Sequence, residues 1–143
     1  MNDVNEIQVG GQHYKTEYQH WDFVLDTNQD YLIGNATKYV ARHAKKNGRE
    51  DLLKAHHYIN KALSLHDGSP SMLCATHAAT HARLLGLFCD RNGLGAFEHE
   101  IIRLLVCGGS REHLLGAGVA VRQLMERVYI DPAEPTPGYV DQG

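Results

Sequence analysis

From Gly34 to Val128 the apolar residues recur at the spacing of helices, and no segment alternates apolar and polar residues as a half-buried strand would. That periodicity limits the chain to an all-α fold, and its punctuation divides the fold into elements. Asn47-Gly48 is a helix stop; Glu50 and Asp51 suit the first turn of the next helix, where negative charge meets the positive end of the helix dipole. Asp67-Gly68 closes that helix, and Ser69 with Pro70 opens another as cap and first residue. "DRNG" at 90–93 and Gly108-Gly109 are further stops, and Ser110 caps the last helix.

The expected helices are a brief one within "YQHWDFVLDTN", built on Trp21, Val24 and Leu25, and five long ones. The long ones run from Asp30 to about Lys46, about Arg49 to Leu65, about 70 to 91, about Ala96 to Cys107, and Ser110 to about Val128. A helical hairpin at 30–66 and a second helical unit at 70–128 would join their apolar stripes as a small bundle. The domain spans are then 1–67, a helical extension at 68–130, and a flexible tail at 131–143 that holds three of the four prolines. Residues 1–17, with the glycine-led "GGQHYK", read as irregular.

A chain of 143 residues, 43% of them hydrophobic, builds a core without a metal or disulfide staple. Cys74, Cys89 and Cys107 are odd in number and follow no disulfide or metal spacing, which implies a reduced, cytoplasmic protein. The N-terminus lacks the apolar run of a signal peptide, and no apolar stretch is long enough to span a bilayer. A pI near 6.3 argues against broad nucleic-acid binding.

Charge is nonetheless uneven. Residues 34–61 carry seven Lys and Arg against two acids, in a chain whose net charge is −3. On a helical wheel Asn35, Lys38, Arg42, Lys45 and Lys46 fall within a sector of roughly 100°, with Tyr39 and His43 between that face and the apolar Ala36, Val40 and Ala44. On the next helix Leu52, Ala55, Ile59 and Leu63 form the apolar stripe, and Asp51, Lys54, Tyr58 and Lys61 a separate face. A turn at Asn47-Gly48 would bring the two polar faces to one cleft. A solvated cationic face needs no ligand, but these cations lack the usual i,i+4 acidic partners. Amides and aromatics beside them suit the sugar and base of a nucleotide, and the cations its phosphates.

Competing motifs are absent or incomplete. There is no G-x-x-x-x-G-K-[ST] phosphate loop, and no E-x-x-E pair of the kind that all-α pyrophosphohydrolases use for magnesium. His77 and His81 have zinc-like i,i+4 spacing but no third ligand, so they read as structural. In "LLGAGVAV" the small residues Gly116, Ala117, Gly118 and Ala120 would let another helix approach closely, which points to a homo-oligomer.

"GGQHYK", "WDFV", "YLIGNATKYVARH" and "REDLLKAHHYI", across residues 10–63, resemble a widespread phage-encoded family described as a domain of unknown function. That family includes the nucleotide kinase of lytic coliphages, an enzyme without a P-loop. The resemblance singles out Gly11, His13, Tyr14, Lys15, Trp21, Asp22, Gly34, Asn35, Lys38, Tyr39, Arg42, Glu50, Asp51, Lys54 and Tyr58. It implies ATP or another phosphoryl donor, Mg²⁺ and a nucleoside monophosphate as acceptor. In such a kinase Lys38, Arg42 and Lys46 would hold phosphates, and Lys54 would neutralise the transferred group. Asp51 would bind Mg²⁺ through water, Tyr14 or Tyr39 would stack on the base, and His13 would reach the sugar or a phosphate. The other readings are a nucleotide-sequestering protein without catalysis, and a helical protein whose basic face docks on an acidic partner.

Overall fold

A computed structural model describes residues 17–66 and 72–129, without the side chains of 72–76. The described residues form six α-helices and no strand: α1 (His20–Asp26), α2 (Tyr31–Arg42), α3 (Arg49–Leu65), α4 (Met72–Asn92), α5 (Ala96–Arg103) and α6 (Arg111–Val128). The expected boundary residues Gly68, Ser69 and Pro70, the tail at 131–143, and Gly11, His13, Tyr14 and Lys15 lie outside the described residues.

Local chemistry sets several of the helix ends. Asp30 Oδ1 accepts from the Ile33 N–H at 2.8 Å and starts α2, and Ser110 Oγ accepts from the His113 N–H and starts α6. Asn28, in the left-handed conformation at φ 53°, ends α1, with its N–H on Leu25 O and the Gln29 N–H on Val24 O. Gly93 at φ 66° ends α4 by the same pair of bonds, to Asp90 and Cys89. Two helices stop earlier than their apolar periodicity predicts. α2 gives way after Arg42 to a 3-10 turn, His43–Lys45, and α5 continues past Arg103 as a π-helical turn, Leu104–Gly108.

α2 and α3 form the antiparallel hairpin, and α6 lies along α3. One hydrophobic core joins Ala36, Val40, Leu52 and Ile59 of the hairpin to Leu85, Ile101, Val106 and Val121 of the later helices. α1 is fixed to α4 by Phe23, which stacks on Phe88 with ring centroids 4.4 Å apart, and Asn92 donates to the carbonyls of Tyr18 and Phe88. At Gly118 the close approach that the small residues predict is made by α3 of the same chain: a Cβ there would stand 3.7 Å from Ile59 Cγ2. None of the helices in the described residues is long and apolar enough to cross a membrane.

Candidate functional site

The Asp30 cap fixes the register of α2, and with it a stripe of Tyr31, Asn35, Lys38 and Arg42 along one side of the helix. Tyr39 adjoins the stripe and gathers charge. Lys38 Nζ lies 4.7 Å from its ring centroid, Arg42 Cζ 4.8 Å, and Lys54 Nζ, from α3, 5.5 Å. Tyr58 of α3 stacks on Tyr39 at 5.9 Å, and Tyr31 meets Tyr58 edge-on at 6.1 Å. A hydrogen bond with Tyr31 raises the Tyr58 phenol above its ordinary range, and burial adds to the rise. The hairpin therefore brings Lys38, Tyr39, Arg42, Lys54 and Tyr58 together as the wheel predicts.

Asp51 has a different place from the one expected. Its side chain is fully buried, and both oxygens are engaged. Oδ1 accepts from Arg42 Nη2 at 3.2 Å, while Oδ2 accepts from Arg42 Nε at 3.3 Å and from the Asn47 N–H at 3.1 Å. The first turn of α3 thus sets Asp51 beneath the end of α2, where it orients a bidentate Arg42 rather than presenting itself to a metal. Glu50, the other acid of the hairpin, is exposed and lies 3.7 Å from Lys54, so Lys54, contrary to expectation, does have an i,i+4 acidic partner. Among the described residues no three His, Cys, Asp or Glu side chains gather as a metal-ligand set. His81 is buried, its Nδ1 is 3.4 Å from Val106 O, and its ring lies 5.9 Å from that of His77.

Lys45 and Lys46 leave the wheel because α2 ends at Arg42. Lys45 Nζ donates to Asn92 O on the α4 side, and Lys46 is exposed beyond the 3-10 turn. Lys38, by contrast, has no carboxylate within salt-bridge distance among the described residues.

On the other flank of the stripe, α1 and α2 bound an open groove of about 380 Å³, lined by Trp21, Leu25, Tyr31, Asn35 and Lys38 among others. Gly34 lies against α1 here: a Cβ there would stand in ordinary contact, 3.7 Å from Val24 Cγ1. Trp21 is half exposed, and Asn35 Nδ2 donates to Tyr31 O at 2.8 Å. Asp22 caps α1 by accepting from the Gln19 N–H. Beneath the groove His20 meets Thr37 Oγ1 at 2.8 Å, Thr37 donates to Gln29 Oε1, and Gln29 donates to Thr27 Oγ1. Burial pushes the His20 imidazole from 6.5 down to about 4, with the Lys38 charge adding to the shift. His20 is therefore neutral near pH 7, and Nε2 is its donor, since the Thr37 proton is committed to Gln29.

A second cavity of about 320 Å³ lies between the turn after α1, the end of α3 and the π-helical turn, and its lining contains no Lys or Arg. Of these two cavities, only the α1–α2 groove has a Lys or Arg in its lining, namely Lys38. His20 and Tyr31 escaped the site reading, and Trp21 entered it only through the family resemblance, because α1 reaches α2 only through tertiary packing, although Tyr31 stands one helical turn before Asn35.

Residues 3–60 match a family model, DUF3310, described as a protein of unknown function. Neither a curated protein nor a solved structure is found to match the chain. The match takes in α1, α2 and most of α3, and so contains the stripe, the groove and the cation cluster, while α4, α5 and α6 lie beyond it.

Proposed function

We propose that the α2–α3 face binds a nucleotide and that its activity is phosphoryl transfer from a donor such as ATP to a nucleoside monophosphate. The observation that carries this reading is the gathering of Lys38, Arg42 and Lys54 around the Tyr39 ring. Such a cluster offers a phosphate chain several charge-assisted donors held close together. In this account the base lies in the groove against Trp21, Asn35 serves its polar edge, and the phosphates run along the stripe towards Arg42. The resemblance of residues 10–63 to the phage-encoded family with the P-loop-less kinase supports the transfer reaction. Catalysis there rests on positioning and charge neutralisation: Lys38 and Arg42 hold phosphate oxygens, and Lys54 meets charge on the transferred group. The cluster does not fit a magnesium ion held by Asp51, because both oxygens of that carboxylate are taken.

The same engagement of Asp51 favours a second reading, a nucleotide-sequestering protein without catalysis. Incubation with a panel of nucleoside monophosphates, ATP and Mg²⁺, resolved by chromatography, separates the two. A diphosphate made by the native chain and lost in Arg42→Ala supports the kinase. A nucleotide retained unchanged supports sequestration, and neither turnover nor retention overturns both.

A further inference from the structure

The helices beyond the matched segment reach back to the hairpin at one point. His43, the residue after Arg42, is buried with both ring nitrogens engaged. Its Nε2 lies 2.6 Å from Glu98 Oε2, on the first turn of α5, and its Nδ1 lies 2.7 Å from the hydroxyl of Tyr129, just past α6. The hydrogen bond from His43 holds the Glu98 carboxyl below its usual range.

Tyr129 also touches the other half of the turn. Its Cε1 lies 3.2 Å from where a Cβ on Gly48 would stand, and Gly48 is in the left-handed region at φ 58°. Burial raises the Tyr129 phenol, and the charges of Glu98 and Asp51 raise it further. Gly48 is flanked by Asn47, whose N–H bonds Asp51, and Asp51 in turn holds Arg42. Arg42 is thus approached from two sides: along the backbone through His43, and across the turn through Gly48, Asn47 and Asp51.

We infer that Glu98 and Tyr129 are positioning residues for Arg42, so that α5 and α6 complete a phosphate-binding face whose own residues all lie in the matched segment. The inference rests on the nucleotide reading for its functional consequence, but not for its geometry. Without Glu98 the buried imidazole loses the carboxylate that orients it, and without the Tyr129 hydroxyl it loses its second partner. Either change frees the 3-10 turn that anchors the end of α2, and the Arg42 fork loses its fixed aim at a phosphate.

The test uses the full chain and ATP as the probe. Glu98→Gln is expected to weaken ATP binding by about three- to tenfold, and Tyr129→Phe by less. Glu98→Gln placed on Arg42→Ala is expected to add nothing, because the effect acts through Arg42. Equal weakening in both backgrounds would assign Glu98 a general structural role and overturn the inference, as would native affinity in both single variants. Should Glu98→Gln fail to fold, Tyr129→Phe carries the same comparison. The Arg42 Nε–H resonance in ¹⁵N-labelled protein supplies a readout that needs no nucleotide. A shift or loss of that resonance in either variant supports positioning even if ATP does not bind, an outcome that would sink the nucleotide reading alone. An unchanged resonance overturns the positioning itself.

Discussion

His20 ties α1 to α2 by an imidazole that must stay neutral. Its pKa in the folded chain, about 4, is below the ordinary 6.5, so the unfolded chain binds the proton first as pH falls. Its contribution is therefore complete above pH 6.5 and is lost progressively down to about pH 4. The loss amounts to at most about 3 kcal/mol by the standard linkage relation. Denaturant unfolding of the native chain and His20→Asn across this range checks it: the native curve should slope more steeply, and parallel curves would refute the assignment. The His43–Glu98 pair acts in a lower window, since the depressed Glu98 pKa stabilises the fold above 4.5 and that stabilisation is lost as pH falls below it. At this scale the sequence exposes what shares a helix. Lys38, Tyr39 and Arg42 are neighbours on α2, so a wheel finds them. The Arg42–Asp51 bond depends on how two helices meet, and His43 and Glu98 are separated by 55 residues, so no local pattern announces either pair.

Helix ends were legible wherever a side chain or a glycine marks them. Asp30 and Ser110 cap, and Gly93 stops α4 in the left-handed conformation that glycine adopts freely. The 3-10 turn after Arg42 was not legible, because the apolar rhythm continues through Ala44 while tertiary bonds to His43 and Lys45 reshape the backbone. The helix glycines divide by what lies over them. A Cβ on Gly86 meets nothing within 4 Å, so Gly86→Ala should raise stability by about 0.5–1 kcal/mol through helix propensity. Gly118 faces Ile59 and His56 at ordinary contact distance, so a larger side chain such as Val should overpack α3 against α6 and destabilise by about 1–3 kcal/mol. Thermal or denaturant unfolding measures both; a stabilising Gly118→Val would mean that α6 does not lie on α3 as described.

The described helices share one core, so the hairpin does not carry its own. Val40, Leu52, Ala55 and Ile59 are fully buried in a cluster to which α4, α5 and α6 contribute. A chain ending at His66 is accordingly expected to lose cooperative unfolding and the near-ultraviolet signal of fixed aromatic rings. Retention of both would show that the hairpin folds alone. The same sharing explains why α1 to α3, though they contain every residue of the proposed site among those described, depend on the later helices for its shape.

The account turns on whether the α2–α3 face holds phosphates, and the most direct measurement is a calorimetric titration of the full chain with ATP at low and moderate salt. The account predicts saturable binding that weakens as salt screens the cluster, and that falls about tenfold or more in Lys38→Ala and in Arg42→Ala. Absence of binding, or binding untouched by either substitution, would contradict it.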